Sequence, residues 1–142
     1  MGNRAVITTK KNFENNGLGV YVHCDGGENS IKAFLAYCDI MNYRRPEEDC
    51  YGWARLCQVI GNFFGGTDSV GIDVVNRLDC DNWDSGVFII ENWKIVGREY
   101  AHGKEPFTEE FIRSKVSYIN EHMPEKIDED ILQEKLSDYL FR

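Results

Sequence analysis

The residues whose types could do chemistry are one arginine, a group of aromatics and two amides. Arg55 carries a planar fork able to hold phosphate or carboxylate through paired hydrogen bonds. Trp83, Trp93, Tyr51 and Phe64 offer faces on which a base can stack. Asn82 and Asn92 could read amide-like edges. Each also has a plainer use: a surface ion pair for Arg55, a hairpin turn for Asn92, closure over a loop for Trp83. These are gripping chemistries rather than bond-breaking ones.

Signatures of catalysis are weak. "VHCDGG" sets His23, Cys24 and Asp25 in a row, but successive strand residues point to opposite faces. His23 and Cys24 therefore do not readily face each other, and the stretch reads as a strand running into a glycine turn. "DCDNWDSG" looks like a calcium loop. Counted from Asp79, however, its fifth position is Trp83 and its sixth Asp84, where oxygen and glycine are needed. It reads as a turn whose aspartates cap backbone amides. "GNFFGG" follows a helix, whereas a phosphate loop precedes one. No Walker motif, dinucleotide fingerprint, H-E-x-x-H or G-x-S-x-G occurs. The expectation is a protein that is not an enzyme, with no catalytic group, no metal and no cofactor.

These residues must be positioned by a mixed set of elements. Residues 4–9 and 18–23 alternate like strands, and "KKNFENNG" between them reads as a polar loop. A helix is expected over about 29–42, with Asn29 as its N-cap. "YGWARLCQVIGNFFGG" is an amphipathic helix with Trp53, Leu56, Cys57, Ile60, Phe63 and Phe64 inward. Its other stripe holds Tyr51, Arg55, Gln58 and Asn62, an unusual set for a merely solvated face. "SVGIDVV" reads as a strand, and "VFII" and "WKIVGR" as a hairpin turning at Glu91-Asn92. A helix follows Thr108, with Phe111, Ile112, Lys115, Val116 and Ile119 in its apolar stripe. Asp128 caps a last helix carrying Ile131, Leu132, Leu136, Tyr139 and Leu140. The fold class expected is α+β: an antiparallel sheet, two central helices and a C-terminal helical hairpin at about 107–142, all within one domain spanning 1–142. The apolar stripes of that hairpin mark it as a candidate contact with another subunit.

Bulk properties narrow the partners. A net charge of −8 opposes binding to a long nucleic acid. It permits a small phosphate-bearing ligand in a local basic pocket, and it permits mimicry of DNA. The apolar runs are far shorter than the roughly 20 residues needed to cross a bilayer, and no signal-peptide pattern opens the chain. The Met-Gly start fails as a myristoylation motif because residue six is Val. Five cysteines without a C-x-x-C pair read as buried reduced thiols of a cytosolic protein.

Taken in order, "GNRAVITT", "GVYVHCDGG", "YGWARLCQVIGNFFGG", "SVGID", "LDCDN", "SGVFII" and "IVGR" resemble a known family. It is the first-described family of phage-encoded Thoeris anti-defence proteins, and the resemblance runs from about residue 2 to 98. It implies a sponge that binds glycocyclic ADP-ribose, the signal made by bacterial TIR-domain proteins, and holds it uncleaved in the cytoplasm of the infected host. It also implies homodimers or higher oligomers with pockets near subunit contacts, and in some members uptake of cyclic oligonucleotides at separate sites. The chain departs from the family where a basic residue follows the Gly-Gly of the first turn; here that residue is Glu28. Arg98, Lys104 or Arg113 would compensate, from this or a second subunit. The ligand-contacting set expected is thus Arg55, Phe64, Asn82, Trp83, Asn92, Arg98 and Arg113. Two other classes stay open: a nucleotide-signal hydrolase with His23 and Asp25 as acid and base, and an acidic DNA-mimic inhibitor.

Overall fold

The computed structural model describes residues 3–66 and 70–142. Gly2, weighed as a lipid acceptor, and Ser69, expected to open a strand, lie outside the described residues. Short runs rich in Val and Ile form β1 (Ala5–Thr8), β2 (Leu18–Val22), β3 (Val70–Val74), β4 (Val87–Glu91) and β5 (Lys94–Glu99). They make one sheet in the order β3-β2-β1-β4-β5. Neighbours are antiparallel except β1 and β4, which run parallel with Ile7 opposite Phe88. The sheet is therefore mostly antiparallel, as the α+β reading requires, with one parallel seam joining its halves. A parallel pair needs a long crossover. Here the crossover contains β2, β3 and, among its helices, the two long ones, α2 (Glu28–Ile40) and α3 (Cys50–Phe64).

The central element is α2. Ten of its thirteen residues are buried, and a helix buried all round needs cover on every side. The sheet supplies one side through Ile7, Val20, Val22 and Phe88. The others are covered by α3, α4 (Glu109–Glu121) and α5 (Glu129–Phe141). Ile112, Val116 and Ile119 of α4 and Leu132, Leu136 and Tyr139 of α5 are buried in this core. The stripes of the terminal helices are thus largely covered within the chain, so those stripes do not need a second subunit. Phe111 and Ile131, placed in the stripes by periodicity, are instead 47% and 49% exposed. Each lies one residue before the first residue of the buried seam, and one residue is about 100° of helix rotation.

Local sequence explains most of the ends. Asp49 caps α3 by accepting from Tyr51 N–H, and Gly65 closes it at φ 70°. Asp128 caps α5 through the amides of Asp130 and Ile131. Asn92 and Trp93, at φ 54° and 60°, form the two-residue hairpin turn between β4 and β5.

Three expectations need correction. The segment read as a polar loop holds a short helix, α1 (Lys10–Glu14), because Thr9 caps it. Phe13 of α1 then packs on Val6, Val87 and Ile89 under the sheet. Asn29 is not the cap of α2, since Gly27 holds that position and Asn29 lies in the first turn. Of the cysteines, only Cys38 is buried; Cys24, Cys57 and Cys80 are half-buried and Cys50 is exposed, all as free thiols. Burial still pushes the Cys57 thiol up to about 11. Among the described residues, no helix is long and apolar enough to cross a membrane.

Candidate ligand-binding cleft

The site is built where β2 runs into α2. Asp25 turns the chain at φ 58°, and Gly26 donates to the Asn3 carbonyl at 2.8 Å. A Cβ on Gly26 would stand 2.4 Å from that oxygen, and one on Gly27 would stand 2.7 Å from Glu105 Oε2. Only glycine fits either place without a shift in its neighbours. The exposed segment 100–108 crosses in front of this turn. Asn29, though not a cap, ties it down: Nδ2 donates to the Pro106 carbonyl at 2.9 Å, and Oδ1 accepts from Thr108 N–H at 3.1 Å. The Asn29 N–H itself donates to Glu105 Oε1 at 2.8 Å.

Two cavities flank Glu105. One, of about 450 Å³, is lined by Cys24, Asp25, Asn29, Ser30 and Phe111. The other, of about 390 Å³, is lined by Glu28, Trp83, Arg98, His102 and Lys104. Asn3, Gly27 and Glu105 line both.

The second cavity holds the stacking and cationic groups. Trp83 is 73% exposed, and its ring stacks on His102 with centroids 4.3 Å apart and planes 25° apart. Its loop is held by Asn82, which is buried. The Asn82 side chain donates to the carbonyls of Asp79 (2.9 Å) and Gly86 (3.3 Å) and accepts from the amides of Asp84 and Gly86, both at 3.0 Å. Asn82 is therefore a brace, with its amide occupied by the loop it closes. Arg4 adds a second tie, Nε to Asp84 Oδ2 at 2.7 Å. That hydrogen bond holds the Asp84 carboxyl below the usual range.

Arg98 stands against the residue where the sequence departs from its resemblance. Its Nη1 donates to Glu28 Oε1 at 3.0 Å and its Nη2 to the Ser85 carbonyl at 2.6 Å. The guanidinium lies 4.0 Å from the centre of the Phe88 ring. Its Nε is buried with no partner among the described residues. Burial lowers its pKa and Glu28 opposes the change; a guanidinium still keeps its charge at neutral pH.

Behind the first cavity lies Lys115, with only 5% of its side chain exposed. Its Nζ donates to Ser30 Oγ at 3.0 Å and faces Asp25 Oδ1 at 3.5 Å. Phe34, Phe63 and Phe111 surround it at 4.8, 4.3 and 5.7 Å. Burial lowers its pKa, while Asp25 raises it. A lysine that donates to Ser30 beside a carboxylate acts as a fixed cation. Asp25 is thus engaged with Lys115, and His23 Nδ1 lies 3.0 Å from the Tyr21 hydroxyl.

Of the residues expected to contact a ligand, Trp83 and Arg98 line a common cavity, with Asn82 bracing its wall. Arg55 lies on the outer stripe of α3, donating to Gln58 at 3.0 Å and stacked 5.3 Å from the Tyr51 ring. Phe64 packs edge-on against Phe63. Asn92 accepts from Arg45 Nη1 at 3.1 Å at the hairpin tip. Arg113 is engaged by Glu109, Gln133 and Ser137, bridging α4 to α5. Trp93 is core, its indole N–H donating to the Tyr43 carbonyl at 3.0 Å.

Sequence reasoning missed Glu105, His102 and the tie that Asn29 makes to the 100–108 segment. Lys115 was visible as a lysine set in an apolar stripe. Among the described residues, no group of three or more His, Cys, Asp and Glu could hold a metal ion. Compared with models of protein families, with curated proteins and with solved structures, the chain finds no match.

Proposed function

We propose that the protein binds and sequesters, without cleaving, a glycocyclic ADP-ribose signal of TIR-domain proteins, and so blocks Thoeris defence in the infected bacterial cytoplasm. The observation that carries the reading is the second cavity, where the Trp83–His102 stack shares the lining with Arg98 and Lys104. Such a ligand has an adenine, riboses and two phosphates. Stacking suits the base, and the two cations suit the phosphates. Carboxylates such as Glu28 can accept from ribose hydroxyls, as acidic side chains do in dinucleotide sites. Small-molecule sites span roughly 300–1,000 Å³; the two cavities, at about 450 and 390 Å³, together reach the upper half of that range. The protein works as a homo-oligomer in this reading. Phe107, Phe111 and Phe141, each at least 47% exposed, offer apolar surface to a second copy beside the cleft.

Titration calorimetry with glycocyclic ADP-ribose tests the placement. Trp83→Ala should keep the fold and weaken binding by about 5- to 150-fold, the roughly 1–3 kcal/mol of one base–aromatic stack. Arg98→Lys keeps a charge but loses the fork, and should also weaken binding. Two folded variants that bind as tightly as the parent would place the ligand elsewhere.

A further inference from the structure

We infer that Glu105 is a gate between the two cavities, and that a ligand of dinucleotide size enters the cleft only when this carboxylate swings out. The inference rests on the binding function proposed above and adds its regulation. Glu105 lines both cavities and so forms the wall that divides them. Neither cavity alone, at about 450 or 390 Å³, has the room of the joined cleft. The carboxylate is also a charge obstacle. It acts on Arg98 from one side and on Lys115 from the other, so a phosphate approaching those cations meets a like charge first.

The gate is held lightly and can move. Its side chain is fixed by the Asn29 N–H at 2.8 Å. The segment carrying it is exposed throughout 100–108, and is anchored on either side of Glu105. Upstream, His102 N–H donates to the Asp84 carbonyl at 3.3 Å. Downstream, Asn29 holds Pro106 and Thr108. Between the anchors stands Gly103 at φ 87°, with open space where a Cβ would project. That residue can take up the change in backbone direction when Glu105 leaves. Opening frees one backbone N–H and removes one negative charge from beside Arg98. The closed state therefore lowers apparent affinity by the fraction of molecules that are open.

The test compares the full-length parent with Glu105→Gln, which keeps the shape without the charge, and Glu105→Ala, which removes the wall. Amide hydrogen exchange without ligand should be faster in Glu105→Ala across 100–106, while the amides of the core strands keep the parent's protection. Calorimetry should give binding of glycocyclic ADP-ribose about tenfold tighter for Glu105→Ala, corresponding to a gate open in roughly a tenth of molecules, with Glu105→Gln between it and the parent. Weaker or equal binding by Glu105→Ala than by a binding-competent parent overturns the gate. So does exchange as slow as in the parent. A parent that takes up no ligand overturns the proposed function instead; exchange across 100–106 needs no ligand and still overturns the gate if it is as slow as in the parent.

Discussion

Trp83 occupies a backbone position that does not favour tryptophan. It stands at φ 62°, a left-handed conformation that costs an L-residue roughly 1–2 kcal/mol. It is also 73% exposed, so burial does not offset that cost. Asn82 and the Arg4–Asp84 pair over-determine the loop and hold it there. The stacking role proposed for the exposed ring would account for the arrangement. Trp83→Gly should therefore raise the melting temperature, with a gain of up to about 1 kcal/mol, while ligand affinity falls as in Trp83→Ala. A melting temperature below the parent's would show that Trp83 serves packing instead. The aromatic was legible in the sequence by its type. Asn82 was not, because its type fits a base edge as well as a turn. Only closure of residues 79–86 shows all its polar atoms engaged. Arg113 hid its partners similarly: its ties to Gln133 and Ser137 lie twenty and more residues away.

At the scale of elements, one buried amide of α4 ties it to α2 and to the linker that leads into α5. Asn120 Oδ1 accepts from the Tyr37 hydroxyl at 3.0 Å and from Ile127 N–H at 3.2 Å, and Nδ2 donates to the Ile127 carbonyl at 2.9 Å. Burial also pushes the Tyr37 hydroxyl up to about 12, so it stays a donor at neutral pH. Asn120→Ala strands these partners. At roughly 1–3 kcal/mol for a buried polar group left unpaired, it should lower stability by about 2–4 kcal/mol. The readout is a lower urea midpoint at unchanged slope. A loss below about 1 kcal/mol would show that this amide adds little to the apolar seam and the Arg113 ties that also hold the helical pair. Four helices were legible because each carries a long periodic stripe, as α3 does, and Asp128 marks the start of the last. The five-residue α1 was not, being too short for a periodic signal. The parallel seam was hidden too, since Ile7 and Phe88 pair across most of the chain, and pairing partners are not written in local pattern.

For the whole molecule, an acidic chain can hold an anionic ligand because its cations are local. Arg98 and Lys104 line one lobe of the cleft, Lys115 backs the other, and Glu105 stands between. The fold gives this arrangement a rigid base, since α2 is enclosed by the sheet and three helices and presents its first turn to the cleft. The exposed segment 100–108 carries Glu105, the part that moves in the gate inferred above. Sequestration requires that what enters leaves unchanged. The most direct measurement is to incubate the protein with glycocyclic ADP-ribose, remove free ligand, denature the complex by heat, and identify what is released by mass spectrometry. The account predicts intact ligand, near one molecule per binding site, and none from a Trp83→Ala, Arg98→Ala double variant washed in the same way. Release of a cleaved product would make the protein a hydrolase, and release of nothing from the parent would contradict the binding function.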